Sequence, residues 1–299
     1  MPTPAAPVWR RARQPITIAT SAVALTLSVF AGVAFGQSGG VDAPDGGTPP
    51  PPSGGDGSGA NVKLGEAQAA PRRSYFDGLR APRVTYKFEG DAPADVLVEV
   101  VSRSTKAVVD SWVVADAPPE TANTAYWDGR TASGGIAKGD DYKFRVGGSG
   151  GKTEGSAKTR FAFHGYKFPI ARRHQYGDGV GAGRGHQGQD VFARCGTKLV
   201  AARGGTVQWN KSQSSAGNYL VIDARGTDKD YFYAHLKRRS PLEKGARVRT
   251  GQAIGKVGQT GNASGCHLHF EIWSAPGWYE GGDALGSVTR SLKKWDKWS

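Results

Sequence analysis

CHLHFEIW, residues 266–273, alternates side chains that belong on opposite sides of an extended chain. Its β-branched and aromatic residues favour a strand over a helix. Positions two apart on a strand share a face, so His267 and His269 project together while Cys266, Leu268 and Phe270 project the other way. On such a sheet one imidazole can bind a metal while its neighbour meets a substrate.

Two further stretches carry the same chemistry. HQGQD, residues 186–190, supplies an imidazole nitrogen and a carboxylate, both ligand types that zinc accepts. A fully extended strand would hold positions i and i+4 about 13 Å apart. The chain therefore has to bend between His186 and Asp190, and Gly188 permits the bend. YFYAHL, residues 231–236, reads as a strand with Tyr231, Tyr233 and His235 on one face, which brings another imidazole within reach. A single histidine in a β domain is most simply a half-buried structural residue. Here four of the six histidines fall in three chemically coherent motifs, and only His164 and His174 stand outside them.

These motifs, HQGQD, YFYAHL and GCHLHFE, with the glycine-rich GARVRTGQAIGKVGQTGNASG at 245–265, resemble the lysostaphin-type (LytM-like) zinc metallopeptidases, which are peptidoglycan endopeptidases. The resemblance covers roughly residues 165 to 285. It implies one zinc ion on His186, Asp190 and His269, a catalytic pair formed by His235 and His267, and peptidoglycan peptides as substrate. Three protein ligands leave a position for water, as in catalytic rather than structural zinc sites. Which histidine of the pair is the general base is left open. The competing reading is a non-catalytic wall-binding or amidase-activating protein of the same fold.

The rest of the chain supplies the setting. Arg10, Arg11 and Arg13 precede an uncharged apolar stretch from Pro15 to Gly36, so residues 1–36 read as a signal peptide or an N-terminal membrane anchor. Residues 37–73, rich in Gly and Pro, read as a disordered linker. Over 74–164, Val84, Tyr86 and Phe88, then Val96, Val98 and Val100, then Tyr142, Phe144 and Val146, then Phe161 and Phe163 recur with a period of two, the pattern of a β-sandwich. The segment TAYWDGRTASGGIAKGDDYKFRV within it resembles the immunoglobulin-like domain of flagellar hook-capping proteins, which implies a fold and no flagellar role. Trp127 reads as a packing residue, as do Trp273, Trp278, Trp295 and Trp298.

Residues 165–299 form the expected peptidase domain, so the fold class is mainly β: an immunoglobulin-like sandwich followed by an antiparallel sheet domain with a central groove. The loop Gln259 to Gly265 is a candidate lining of that groove. The formal charge is +13. Residues 165–299 carry ten Lys and eleven Arg against ten Asp and Glu, which leaves +11 there. In an exported protein this favours anionic wall polymers or the membrane surface as further partners, and no motif points to nucleic acid. Cys195 and Cys266 lie beside the two halves of the metal motif, and in an exported protein their natural use is a disulfide.

Overall fold

The computed structural model describes residues 62–183 and 185–299. The signal or anchor segment expected at 1–36 and most of the linker lie outside the described residues. No helix among the described residues is long and apolar enough to cross a membrane.

Eight strands build the first domain: β1 Lys63–Ala70, β2 Arg73–Tyr75, β3 Arg83–Glu89, β4 Ala94–Ser102, β5 Val108–Ala117, β6 Asn123–Tyr126, β7 Asp140–Gly148 and β8 Arg160–His164. They form a three-stranded sheet, β1-β3-β6, and a five-stranded sheet, β2-β8-β7-β4-β5. Every apolar position picked out by alternation, from Val84 to Phe163, is buried between them. Trp127 is 1% exposed, rests on Tyr142 and Phe163, and donates its indole N–H to the Arg130 carbonyl at 2.7 Å. One boundary differs from expectation. Lys63–Ala70 falls in the stretch read as linker, yet it pairs along its length with β3. Its sequence, KLGEAQAA, has few β-branched residues, and only Ala69 is fully buried, so the strand is held mainly by its backbone ladder and carries little periodic signal.

The second domain contains β9 His174–Tyr176, β10 Gln189–Ala193, β11 Lys198–Val200, β12 Gly205–Gln213, β13 Gly217–Ala224, β14 Lys229–Leu236, β15 Arg247–Val248, β16 Ala253–Lys256, β17 His267–Ser274 and one helix, α1 Val288–Asp296. Seven of its strands form an antiparallel sheet in the order β15-β12-β13-β14-β17-β10-β9. One face buries Leu220, Tyr233, Leu268 and Phe270 together with Val288, Leu292 and Trp295 of α1. The other face carries His267, His269 and Glu271, with Tyr219, Phe232 and Ala234 in a separate, smaller cluster.

Two irregularities in the ladder decide what reaches that second face. In β12, Val207 pairs with Ile222 but Trp209 pairs with Val221, so Gln208 is an extra residue. In β14, Tyr233 pairs with Leu220 but Leu236 pairs with Asn218, which leaves one extra residue across Ala234 and His235. A bulge of this kind breaks the two-residue period. His235 adopts φ 58°, a left-handed conformation uncommon outside glycine. The expectation that Tyr231, Tyr233 and His235 share a face is therefore corrected: the tyrosines enter the core against Phe270, and His235 turns to the opposite side to meet His267.

The two domains are packed together through the turn after β2. The Arg203 guanidinium, 1% exposed, lies 4.2 Å from the Phe76 ring centroid and donates to the carbonyls of Gly165 and Arg225. Thr250 donates from its amide to the Asp77 carbonyl (2.9 Å) and from its hydroxyl to the Phe76 carbonyl (2.7 Å), while Arg247 pairs with the Asp77 carboxylate at 2.8 Å. At the other end of the junction His164 stacks on Trp298, with centroids 4.5 Å apart and planes within 9°.

Cys195 and Cys266 are bonded, as expected, with Cα atoms 5.3 Å apart. The bond ties together the ends of β10 and β17, adjacent strands in which Phe192 pairs with His267, and Cys266 packs towards the core side of the sheet. Cross-linking residues 71 apart in sequence removes denatured-state entropy worth about 4 kcal/mol in the chain-closure model. Replacing both cysteines by alanine should lower unfolding stability by about 2–4 kcal/mol in urea titrations, and thiol titration of the native protein should find no reactive cysteine. A second expectation concerns pH. Burial, aided by Arg73, pulls His164 down to about 4 from 6.5. The unfolded chain then binds the extra proton between those values, so stability should fall as pH drops from about 6.5 towards 4, and H164F should flatten that part of the profile.

Candidate metal centre

Asp190 on β10 and His269 on β17 are direct partners across an antiparallel pair, so their side chains leave the sheet side by side. His186 comes from the loop before β10 and is folded back over them. Space, more than turn geometry, makes position 188 a glycine. A Cβ there would lie 2.6 Å from the Phe270 carbonyl oxygen and 2.8 Å from the His269 ring. Gln189, 2% exposed, anchors the loop by donating its amide to the carbonyls of Gly177 and Asp178 at 3.0 Å each, and it accepts from Thr289 of α1 at 2.6 Å.

Three atoms converge: His186 Nε2 to Asp190 Oδ1 is 3.1 Å, His269 Nδ1 to Asp190 Oδ1 is 2.9 Å, and His269 Nδ1 to His186 Nε2 is 2.9 Å. The opposite nitrogen of each imidazole is occupied as a donor, His186 Nδ1 to the Gly179 carbonyl at 3.0 Å and His269 Nε2 to Glu271 at 2.7 Å. In the neutral rings the converging nitrogens therefore present lone pairs, as does the carboxylate. Lone pairs this close repel unless a cation lies among them. Tetrahedral zinc with bonds near 2.0–2.1 Å would set neighbouring ligand atoms about 3.4 Å apart, so the donor set fits such an ion after an expansion of a few tenths of an ångström. Without an ion, a proton serves the same purpose. Burial alone would lower His269, but hydrogen bonds to Asp190 and Glu271 raise it to about 9. Burial would likewise raise Asp190, but the hydrogen bond to His269 and the neighbouring imidazoles hold it below the usual carboxylate range.

His235 and His267 stand beside this cluster with ring centroids 4.5 Å apart. Each donates Nδ1–H to a backbone carbonyl, His235 to Thr260 at 2.7 Å and His267 to Gly265 at 2.8 Å. Both carbonyls belong to the loop expected to line the groove, so that loop sets the orientation of both rings. His267 Nε2 lies 3.6 Å from Asp190 Oδ1. Burial pulls His235 down to about 4, which keeps it neutral near physiological pH and able to accept a proton. The arrangement thus joins a three-ligand cation site to two imidazoles suited to moving protons at one substrate.

The structure brings His186, Asp190 and His269 into one cluster and places His235 and His267 against it. His164 and His174 lie elsewhere, His174 paired with Asp296 at 3.0 Å. Glu271 was missed by the motif reading. It is 5% exposed, accepts from His269 and also accepts the Trp273 indole N–H at 2.5 Å. Its signal was the same alternation, since His267, His269, Glu271 and Trp273 continue one face of β17.

Residues 184–282 match peptidase family M23. Over 91 residues the chain is 40% identical to the peptidoglycan DD-endopeptidase ShyC of Vibrio cholerae, a match that covers 30% of this chain and 20% of that protein. It is 38% identical over 87 residues to the DD-carboxypeptidase/endopeptidase Mpg of Neisseria meningitidis, covering 29% and 19%. The chain thus spans about a fifth of the length of these curated relatives. Among solved structures it is similar to the catalytic domain of lysostaphin from Staphylococcus simulans, with 26% identity, a TM-score of 0.37, and coverage of 40% of this chain and 92% of that one. All five histidine and aspartate positions of the site fall inside the span, residues 184–282, that matches peptidase family M23.

Proposed function

We propose that this protein is an exported zinc metalloendopeptidase that hydrolyses amide bonds in the stem peptides or cross-bridges of peptidoglycan. The observation that carries the reading is the convergence of three lone-pair donors within 4.8 Å of one another, next to a second pair of imidazoles. A wall-binding protein has no use for both. The curated relatives named above are a peptidoglycan DD-endopeptidase and a DD-carboxypeptidase/endopeptidase. Export is supported by the basic and then apolar N-terminal sequence and by the disulfide, a bond that persists in oxidising compartments.

His186, Asp190 and His269 would hold the ion. Zinc bound there would supply Lewis-acid polarisation of the scissile carbonyl and acidify a water molecule. The protein's own groups do the rest. Glu271 fixes the tautomer of His269 and keeps its Nδ1 lone pair turned towards Asp190, as carboxylates behind metal-binding histidines do. His235 and His267, held through Nδ1, keep Nε2 free for the substrate side. One would take the proton from the attacking water on its Nε2 lone pair and pass it to the leaving amine, and the other would donate a hydrogen bond to the developing oxyanion from Nε2 only as the protonated imidazolium. The basic surface of this domain suits anionic wall polymers or the membrane surface, and no nucleic-acid partner is invoked.

Incubating the zinc-loaded protein with purified peptidoglycan should release peptide fragments seen by mass spectrometry, and a chelator should stop the release. No release from several wall types by zinc-loaded protein would favour the wall-binding alternative. H269A should lose both metal and activity, whereas H267A should keep stoichiometric zinc and lose about 10²–10⁴-fold in turnover. E271Q puts an amide N–H against one of its two donors, and should weaken zinc affinity by about 10–100-fold in competition with a chromophoric chelator.

A further inference from the structure

The sheet face that carries the metal centre does not end at His269. Phe232 meets the His269 ring edge-on at 6.4 Å, and Trp278 lies over Phe232 (5.1 Å) and Tyr219 (5.3 Å). Tyr279 continues the row, 5.3 Å from Trp278 and 6.0 Å from Trp209. These rings form an aromatic wall in which Phe232 and Tyr219 are buried, Trp278 and Trp209 are half-buried, and Tyr279 is the exposed end.

Tyr279 is not a core residue. It is 80% exposed and sits at φ 67°, a backbone conformation that bulky side chains rarely adopt. The strained backbone holds this aromatic ring outward, where a ligand can reach it. Trp209, which a regular strand would send into the core beside Val207, reaches this face only through the bulge at Gln208. Lys211 and Lys244 sit over its ring with Nζ atoms 4.2 and 4.9 Å from the centroid, so cations rim the wall.

We infer that this wall, ending in Tyr279, binds the pyranose rings of the glycan strand to which the cleaved peptide is attached. The inference rests on the proposed peptidoglycan activity and adds a subsite to it. Sugar rings offer a C–H face to an aromatic ring and hydroxyl and acetamido groups at their edges, which matches an exposed tyrosine in a partly polar setting. The rim lysines suit the carboxylates of stem peptides, and two ammonium groups would oppose a wholly apolar partner. The span also agrees. From β17 to β12 is three strand spacings of about 4.8 Å, or about 14 Å, which about four residues of extended peptide cover at roughly 3.3 Å each. A peptide cut at the metal centre therefore delivers to the wall whatever is joined about four residues away.

The test uses the zinc-loaded full chain, Y279A and Y279F. Calorimetric titration with chitotetraose, a defined oligomer of N-acetylglucosamine, should show binding that Y279A weakens by about threefold to tenfold and Y279F retains. In parallel, the ratio of kcat/KM for glycan-bearing cross-linked fragments to that for the same peptide without sugar should fall severalfold in Y279A and recover in Y279F. No binding to the parent protein, equal binding to Y279A, or an unchanged ratio overturns the inference. If the parent cleaves neither substrate, the proposed activity fails and the chitotetraose titration alone decides the subsite. A dimer in sedimentation that Y279A dissolves would give the wall to a second copy and likewise overturn the proposal.

Discussion

Three ligand atoms held within about 3 Å of each other, on His186, Asp190 and His269, are the constraint around which the second domain is arranged. Such a cluster is unfavourable in itself, because the groups repel and are taken from water, and it persists only where the surrounding structure imposes it. The register of β10 on β17 sets Asp190 opposite His269. The glycine at 188 lets the His186 loop close over both, Gln189 pins that loop to α1, and the bond between Cys195 and Cys266 fixes the ends of the same two strands.

The face that carries the metal centre is assembled by interrupting the sheet rather than by continuing it. A regular strand with Tyr231 and Tyr233 in the core would bury His235 with them. One extra residue in β14 reverses that side chain, and one extra residue in β12 does the same for Trp209. The core keeps its unbroken apolar layer, Leu220, Tyr233, Phe270 and Leu268, while the opposite face gains an imidazole and an indole. Bulges next to functional sites commonly re-aim side chains in this way.

Much of this was legible in the chain because alternation and ligand chemistry are local signals. The buried rows of the sandwich, the pairing of His267 with His269 on one face and the bonded cysteines could all be read from residue spacing and context. What alternation cannot register is an inserted residue, so His235 was put on the tyrosine face and Trp209 drew no notice. Nor does it register a strand that packs almost nothing, as with Lys63–Ala70. Glu271 was visible on the right face, but its importance depends on the second nitrogen of His269, and only the fold shows where that nitrogen points.

The junction between the domains also has a mechanical meaning. Phe76 and Asp77 engage Arg203, Arg247 and Thr250, which belong to the β12 and β15 edge of the seven-stranded sheet. The metal-binding residues sit on β17 and β10, beyond β13 and β14. The chain itself, however, leaves the sandwich after β8 and enters the sheet at β9, the edge strand paired with β10, so the covalent path between the domains ends beside the metal-binding strands. Strands β10 and β17 are in addition fastened to each other by a covalent bond. The covalent clamp between β10 and β17 therefore lies where a pull entering the sheet at β9 would first reach the ligands.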